Sequence, residues 1–131
     1  MVSGSSIRSY KDLEVWQVAM DLAQACYKVT ATFPREEIYG MTAQVRRAAA
    51  SIAANIAEGY GRETTGSFVQ FLRIAQGSLK ELETHLSLAE RVQLSKANEL
   101  APLLSQCERV SKMLRNLIRS LERGRNTERQ S

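Results

Sequence analysis

The residues of this 131-residue chain that could most clearly bind a ligand are periodically spaced cations. Residues 108–131 contain seven basic and three acidic side chains, so this segment accounts for the whole formal net charge of +4. Five of its cations lie three or four residues apart and would share one helix face. They are Arg109, Lys112, Arg115, Arg119 and Arg123. Such a stripe can bind the phosphates of RNA or DNA with strong salt dependence. The alternative is a solvated face with intrahelical ion pairs, such as Glu108 with Lys112 or Arg119 with Glu122.

Arg46 and Arg47 are a second candidate pair of cations. Adjacent residues point about 100° apart around a helix, so these two side chains cannot face the same groove. A phosphate contact is one role for them. A structural pairing with Glu58, Glu81 or Glu83 of a neighbouring helix or subunit is favoured, because buried arginines need partners.

Asn55 and Glu58 lie three residues apart, on one side of a predicted helix. We expect them, with Glu81 and Glu83, to form a polar network that sets helix register or a subunit contact. Catalysis by Glu58, Asn55 and one of the two arginines is the weakest of the hypotheses.

The sequence lacks the residue patterns that metal binding and nucleophilic catalysis require. A di-iron bundle needs Glu-x-x-His on two helices, whereas the only histidine, His85, lies four residues after Glu81. No sequence pattern places that histidine beside Cys26 or Cys107 as a base. We therefore expect no enzymatic activity, no catalytic residue, no metal and no cofactor.

The cysteines and the hydropathy also indicate where the protein resides. Both cysteines lie among small or apolar residues, as buried thiols in a reducing compartment do. No apolar run reaches the roughly 20 residues of a membrane span, and the polar start lacks a secretory signal. The expected location is the cytoplasm, away from the membrane.

The apolar spacing predicts four amphipathic helices, at about 11–32, 41–58, 65–91 and 96–123. A chain of this length builds one core. We expect a single-domain, all-α, antiparallel up-down-up-down four-helix bundle over residues 10–124. Residues 1–9 and 125–131 are expected to be flexible segments.

Within these helices, the repeats predict which side chains enter the core. The first helix has the apolar stripe Leu13, Trp16, Met20, Ala23, Tyr27, Thr30, which Val15, Leu22, Cys26 and Val29 widen. Trp16 and Tyr27 are assigned to the core on this basis. The third helix has an unbroken seam, Phe68, Leu72, Ala75, Leu79, Leu82, Leu86, Ala89. The alanines of the second helix favour close approach of a neighbouring helix.

The helix ends have their own signals. Thr64 or Thr65 and Ser95 are the predicted N-caps of the last two helices. Pro102 predicts a kink or a late start near Ala101. Gly124 is expected to let the fourth helix fray.

Four motifs carry a resemblance to a known family. They are residues 10–17 (YKDLEVWQ), 39–49 (YGMTAQVRRAA), 51–59 (SIAANIAEG) and 71–84 (FLRIAQGSLKELET). In this order they resemble the bacterial four-helix-bundle proteins known as 23S rRNA intervening-sequence proteins, over about residues 10–90.

The resemblance implies a four-helix bundle that assembles as a homopentameric ring without enzymatic activity. A related branch, the accessory proteins of diversity-generating retroelements, forms basic pentamers that bind nucleic acid and a reverse transcriptase. Our leading hypothesis is therefore a homo-oligomeric accessory protein that binds RNA or DNA through its basic surface. The alternative is a protein–protein interaction scaffold with no nucleic-acid role.

Overall fold

Four helices follow one another along the chain in the computed structural model, which describes residues 7–130 and their side chains up to Thr127. They are α1 (Glu14–Thr30), α2 (Met41–Tyr60), α3 (Thr65–Arg91) and α4 (Ala97–Gln130), with 3-10 turns at Tyr10–Asp12 and Arg35–Glu37. The described residues contain no strand. None of these helices is both long and apolar enough to cross a membrane within the described range.

Helix contacts define the arrangement. Each helix packs against the next one in the chain, and α4 closes the set by packing against α1. The diagonal pairs, α1 with α3 and α2 with α4, make no close backbone contact in the described part of the chain. The helices therefore occupy the four corners of an antiparallel bundle. The predicted all-α, up-down-up-down architecture is confirmed.

The core is formed largely by apolar stripes of α2, α3 and α4. On α3 the predicted seam residues Leu72, Leu79, Leu82 and Leu86 are buried. On α4 the spacing of three and four predicts Leu100, Leu103, Cys107, Val110, Leu114, Leu117 and Leu121 as the inward series. This series is buried as far as Leu114, after which Ile118 rather than Leu117 points inward. A straight helix has 3.6 residues per turn, so the inward face drifts along a long helix.

The core face of α1 differs from the predicted stripe. The buried side chains are mainly Val15, Val18, Ala19, Leu22, Ala23 and Cys26. Tyr27 is 48% exposed and Met20 is 43% exposed. Trp16 is half-buried and packs at the edge of the core. The assignment of Tyr27 to the core is therefore wrong, because α1 has two adjacent apolar stripes and only one of them faces the bundle.

Two of the predicted helix ends need correction. Thr64 is confirmed as the N-cap of α3, since its Oγ1 accepts a hydrogen bond from the Ser67 N–H at 3.1 Å. The Ser95 hydroxyl, in contrast, makes no hydrogen bond with any described residue. Instead, the carboxylate of Glu99 accepts a hydrogen bond from the Lys96 N–H at 3.0 Å. Helix α4 begins at Ala97, one residue from the predicted start at 96, so Pro102 lies inside the helix and does not delay its start to Ala101.

The far end of α4 was also predicted too short. The helix continues through Gly124 to Gln130. One glycine costs only about 1 kcal/mol in a helix, and the arginines and glutamates around it are good helix formers. Of the flexible segments that we predicted, residues 1–6 and Ser131 lie outside the described residues.

The α3–α4 turn yields a stability prediction. The Leu94 N–H bonds the Ala89 carbonyl at 2.9 Å and the Gln93 N–H bonds the Glu90 carbonyl at 3.0 Å, which is the Schellman arrangement. It places Gln93 at φ 65°, where glycine is favoured. We expect Gln93→Gly to raise the free energy of unfolding by about 0.5–1 kcal/mol in urea titrations. Gln93→Ala keeps the Cβ and should not stabilise; equal effects of the two substitutions would contradict this account.

Candidate nucleic-acid interface

The five cations of α4 lie on its solvent-facing side. Arg109, Lys112, Arg115, Arg119 and Arg123, here called the α4 stripe, are all exposed. They occupy the side of the helix opposite its buried residues, and span about 21 Å at 1.5 Å per residue. The structure therefore brings these five predicted site residues together on one accessible surface.

Most of the α4 stripe has no acidic partner. Arg109 is 3.7 Å from Glu14, and both side chains are largely exposed, so this pair contributes little. The other four cations form no ion pair with any described side chain. The intrahelical pairs that we considered are absent among these residues, because Glu122 contacts Arg73 of α3 at 3.7 Å and Arg125 at 3.5 Å. Four cations are thus available to an external anion.

Arg46 has a structural role at the end of α1. Its Nε donates to the Thr30 hydroxyl at 2.9 Å, and Nη2 approaches the Tyr27 carbonyl at 3.4 Å. The guanidinium also lies 4.5 Å from the centroid of the Tyr27 ring. A cation is favourable at a helix C-terminus, where backbone carbonyls lack partners. The predicted pairing of Arg46 with a carboxylate within the chain is therefore not formed among the described residues.

Arg47 lies apart from the α4 stripe. Its side chain is exposed, and its nearest polar partner is the Gln44 amide oxygen at 3.5 Å. Because α2 and α4 occupy diagonal corners of the bundle, their exposed faces point in opposite directions. Arg46 and Arg47 do not extend the surface formed by the α4 stripe in a single chain.

The predicted polar network forms around Asn55 alone. Its amide donates to the Ser51 carbonyl at 2.8 Å and to the Ser51 hydroxyl at 3.0 Å. That hydroxyl lies 2.8 Å from the hydroxyl of Ser78, which links α2 to α3. Neither serine was predicted to join this network, although small polar residues among alanines often mark a close helix contact.

The three glutamates of that prediction are not part of the network. Glu58 pairs with Arg62 at 2.6 Å, and Glu83 pairs with Lys80 at 3.2 Å. Among the described side chains, Glu81 approaches His85, at 3.5 Å. Each of these contacts joins residues one turn apart on the same helix, so the residues that share a face do not meet across the bundle.

The remaining candidate residues are buried thiols. Burial raises the pKa of Cys26 to about 12, and burial followed by the neighbouring Cys26 raises the pKa of Cys107 to about 12. Both thiols are therefore protonated at neutral pH and poor nucleophiles. Among the described residues no three His, Cys, Asp or Glu side chains are grouped to hold a metal ion.

An apolar groove between α1 and α2 was not predicted from the sequence. It has a volume of about 570 Å³. We call it the α1–α2 groove; its walls include Tyr10, Trp16, Met20 and Tyr27, and its floor is Ala50, Ala53, Ala54 and Ala57. The sequence signal for this groove was the pair of adjacent apolar stripes on α1. The bundle core can bury only one of them, so the other remains at the surface.

Comparison with known proteins agrees with this fold. The chain is similar to a protein of unknown function from the S23 ribosomal protein family of Bacteroides thetaiotaomicron, whose crystal structure superimposes with a TM-score of 0.72. The two are 23% identical, and the match covers 79% of this chain and 97% of the other. No curated protein sequence matches the chain. The profile of the 23S rRNA-intervening sequence protein family matches residues 11–116. This chain therefore belongs to the 23S rRNA-intervening sequence protein family.

Proposed function

We propose that this protein is a non-enzymatic, homo-oligomeric accessory protein that binds nucleic acid through the α4 stripe. The observation that supports it most directly is that Lys112, Arg115, Arg119 and Arg123 are exposed and have no ion pair among the described side chains. Acidic residues lie one turn from two of these cations, Glu108 from Lys112 and Glu122 from Arg119, yet neither forms an ion pair with them among the described side chains.

The composition of this surface indicates the mode of binding. Successive cations along the α4 stripe are separated by one helical turn, so several can contact the phosphates of one backbone. Helix α4 has no aromatic residue on which a base could stack. The expected binding is therefore salt-dependent and largely independent of base sequence.

Assembly would strengthen this binding. Repeating one stripe around a homopentamer, as the family resemblance suggests, multiplies the phosphate contacts without any new site. The exposed apolar side chains of the α1–α2 groove support a second copy as partner, since soluble proteins cover such patches. Location in the cytoplasm is part of the proposal, supported by two free, buried cysteines.

Fluorescence anisotropy with labelled duplex DNA and structured RNA, across a salt series, tests the proposal. We expect submillimolar binding that weakens steeply as salt rises. The Arg115→Glu/Arg119→Glu variant should bind at least about tenfold more weakly at low salt. The matched control is Lys11→Glu/Arg35→Glu, which changes the net charge equally at exposed positions away from α4.

Equal losses in the two double variants would show that only net charge matters and would contradict a site on α4. Absence of binding by the wild type at low salt would refute the nucleic-acid role. The protein–protein interaction scaffold would then be the better hypothesis, to be tested by identifying partner proteins.

A further inference from the structure

We propose that the α1–α2 groove of one copy receives an apolar ridge on α3 of the next copy, in a head-to-tail contact that repeats around a closed ring. The α3 ridge consists of Ile74 and Leu88 on α3 together with Val92, the C-cap residue that follows Arg91. This assignment depends on the homo-oligomer proposed above, and adds which surfaces of the chain meet.

The exposed large hydrophobic residues fall into two groups. Among the described residues there are seven, with exposed fractions from 43% to 93%. Met20 and Tyr27 line the α1–α2 groove, Ile38 and Tyr39 lie in the connection between α1 and α2, and the other three form the α3 ridge. The first group includes two walls of a groove and the other lies along a helix surface, so the two can be complementary in shape. A contact between unlike surfaces is heterologous and can close into a ring.

The ridge follows one side of α3. Leu88 lies 14 residues after Ile74 and Val92 four residues after Leu88, spacings that keep all three within about 40° of one another. Ser78, one turn after Ile74, contacts Ser51 of α2. The ridge therefore runs along the exposed edge of α3 that adjoins α2.

The α3 ridge and the α1–α2 groove also lie at matching positions along the bundle axis. The contact of Ser78 with Ser51 sets the level of the antiparallel helices α3 and α2. Ile74 lies four residues before Ser78, and Asn55 lies four residues after Ser51. Because α2 and α3 are antiparallel, Ile74 is at the same axial level as Asn55, beside the alanines that form the floor of the groove. Rotation about an axis parallel to the bundle, without translation, can then place Ile74 over that floor.

The upper part of the ridge has a matching surface as well. Leu88 lies ten residues after Ser78, and Met41 lies ten residues before Ser51. Leu88 is therefore at the same axial level as the start of α2. Ile38 and Tyr39 lie just before that start and are 52% and 93% exposed. The same rotation brings Leu88 and Val92 towards these two side chains.

Charges at the same level are complementary. Glu81, one turn after Ser78, is exposed and level with the part of α2 that carries Arg46 and Arg47. Neither arginine forms an ion pair with a carboxylate among the described side chains. A carboxylate from the next copy would supply that partner at the upper end of the groove.

The ring geometry keeps the α4 stripe accessible. The groove lies on the α1–α2 face and the ridge on the α2–α3 face, and adjacent faces of a square bundle differ by about 90°. Successive copies in a heterologous contact between faces about 90° apart are rotated by about 90°, so the ring closes with about four copies, and an angle of about 108° between the faces closes it with five. Helix α2, which both faces share, would lie nearest the ring axis, and α4 at the diagonal corner would form the outer rim.

Light scattering after size-exclusion chromatography, with two surface variants, tests the assignment. Ala54→Arg blocks the groove and Ile74→Arg blocks the ridge, at exposed positions. Each variant alone should elute as a 14.7 kDa monomer with unchanged circular dichroism. Mixed together they should form a 1:1 dimer and stop there, because each retains one intact surface of opposite kind. Ser120→Arg, an exposed site on α4, is the control and should retain the wild-type mass.

The outcomes separate this assignment from the proposed function. A monomeric wild type would refute the oligomer itself, and anisotropy would still decide on nucleic-acid binding. An oligomeric wild type whose mass survives both substitutions, or variants that do not pair on mixing, would show that other surfaces meet. A chain with both Ala54→Cys and Ile74→Cys gives an independent measurement: oxidation should produce a ladder of disulfide-linked copies, whereas a chain with either cysteine alone should give none.

Discussion

Gly59→Ala should lower the free energy of unfolding by about 2 kcal/mol, although alanine is the better helix former. Gly59 is a buried residue in the last turn of α2. A Cβ there would lie 2.7 Å from the Cβ of Phe71, 3.0 Å from Cδ1 of Phe68 and 3.2 Å from the Phe68 carbonyl oxygen. Two of these atoms are close to or part of the α3 backbone, so relief of the overlap requires the helices to separate.

Urea titration at one fixed protein concentration measures this effect, because assembly makes stability concentration-dependent. Gly124→Ala is the control. That residue lies inside α4, where a Cβ would meet no described side chain and no other helix within 4 Å, so alanine should stabilise by about 0.5 kcal/mol through helix propensity. Stabilisation by both substitutions would mean that α2 and α3 do not approach as closely as the structure indicates.

Alkaline pH should destabilise the protein through its two buried thiols. The pKa of each thiol is about 12 in the folded chain, against an ordinary value of 9.0. Below pH 9 the thiols are protonated in both states, so their contribution to stability is complete. Between pH 9 and about 12 only the unfolded chain ionises, so stability falls by about 1.4 kcal/mol per pH unit for each thiol. At pH 10 the two together should cost about 3 kcal/mol.

The measurement is a series of urea titrations from pH 7 to pH 10.5, repeated with Cys26→Ala/Cys107→Ala. The double variant should be less stable at every pH because of the cavities. Its slope above pH 9 should be shallower than that of the wild type, since the two thiols are the only ionisable groups by which the two proteins differ. Parallel slopes would contradict the burial of the thiols. Rapid labelling of both thiols in the native protein by a thiol reagent would contradict it independently.

Apolar periodicity predicted the fold because it is a local property of each helix. The seam of α3 and most of the buried face of α4 follow directly from residues spaced three and four apart. The exposed cations of α4 were predicted for the same reason, since a residue opposite a buried stripe faces solvent. Helix number, order and the basic surface therefore needed no tertiary information.

Which of two adjacent apolar faces of a helix is buried depends on the neighbouring helices. Helix α1 has two apolar stripes, and only the packing of α2 and α4 shows that the stripe with Leu22 is enclosed while Tyr27 is not. Tyr27 remains exposed beside the α1–α2 groove, where it supports the proposed contact between copies.

Polar partners were the other feature that only the tertiary structure decided. Arg46 bonds Thr30 and the Tyr27 carbonyl rather than a glutamate, and Asn55 joins Ser51 and Ser78. A sequence shows which residue types can pair, but these partners lie on other helices or depend on which groups another helix brings within about 3 Å. Periodicity reports how residues are arranged around one helix axis, whereas hydrogen bonds between helices depend on the rotation and axial offset of two axes, which packing of the whole core determines.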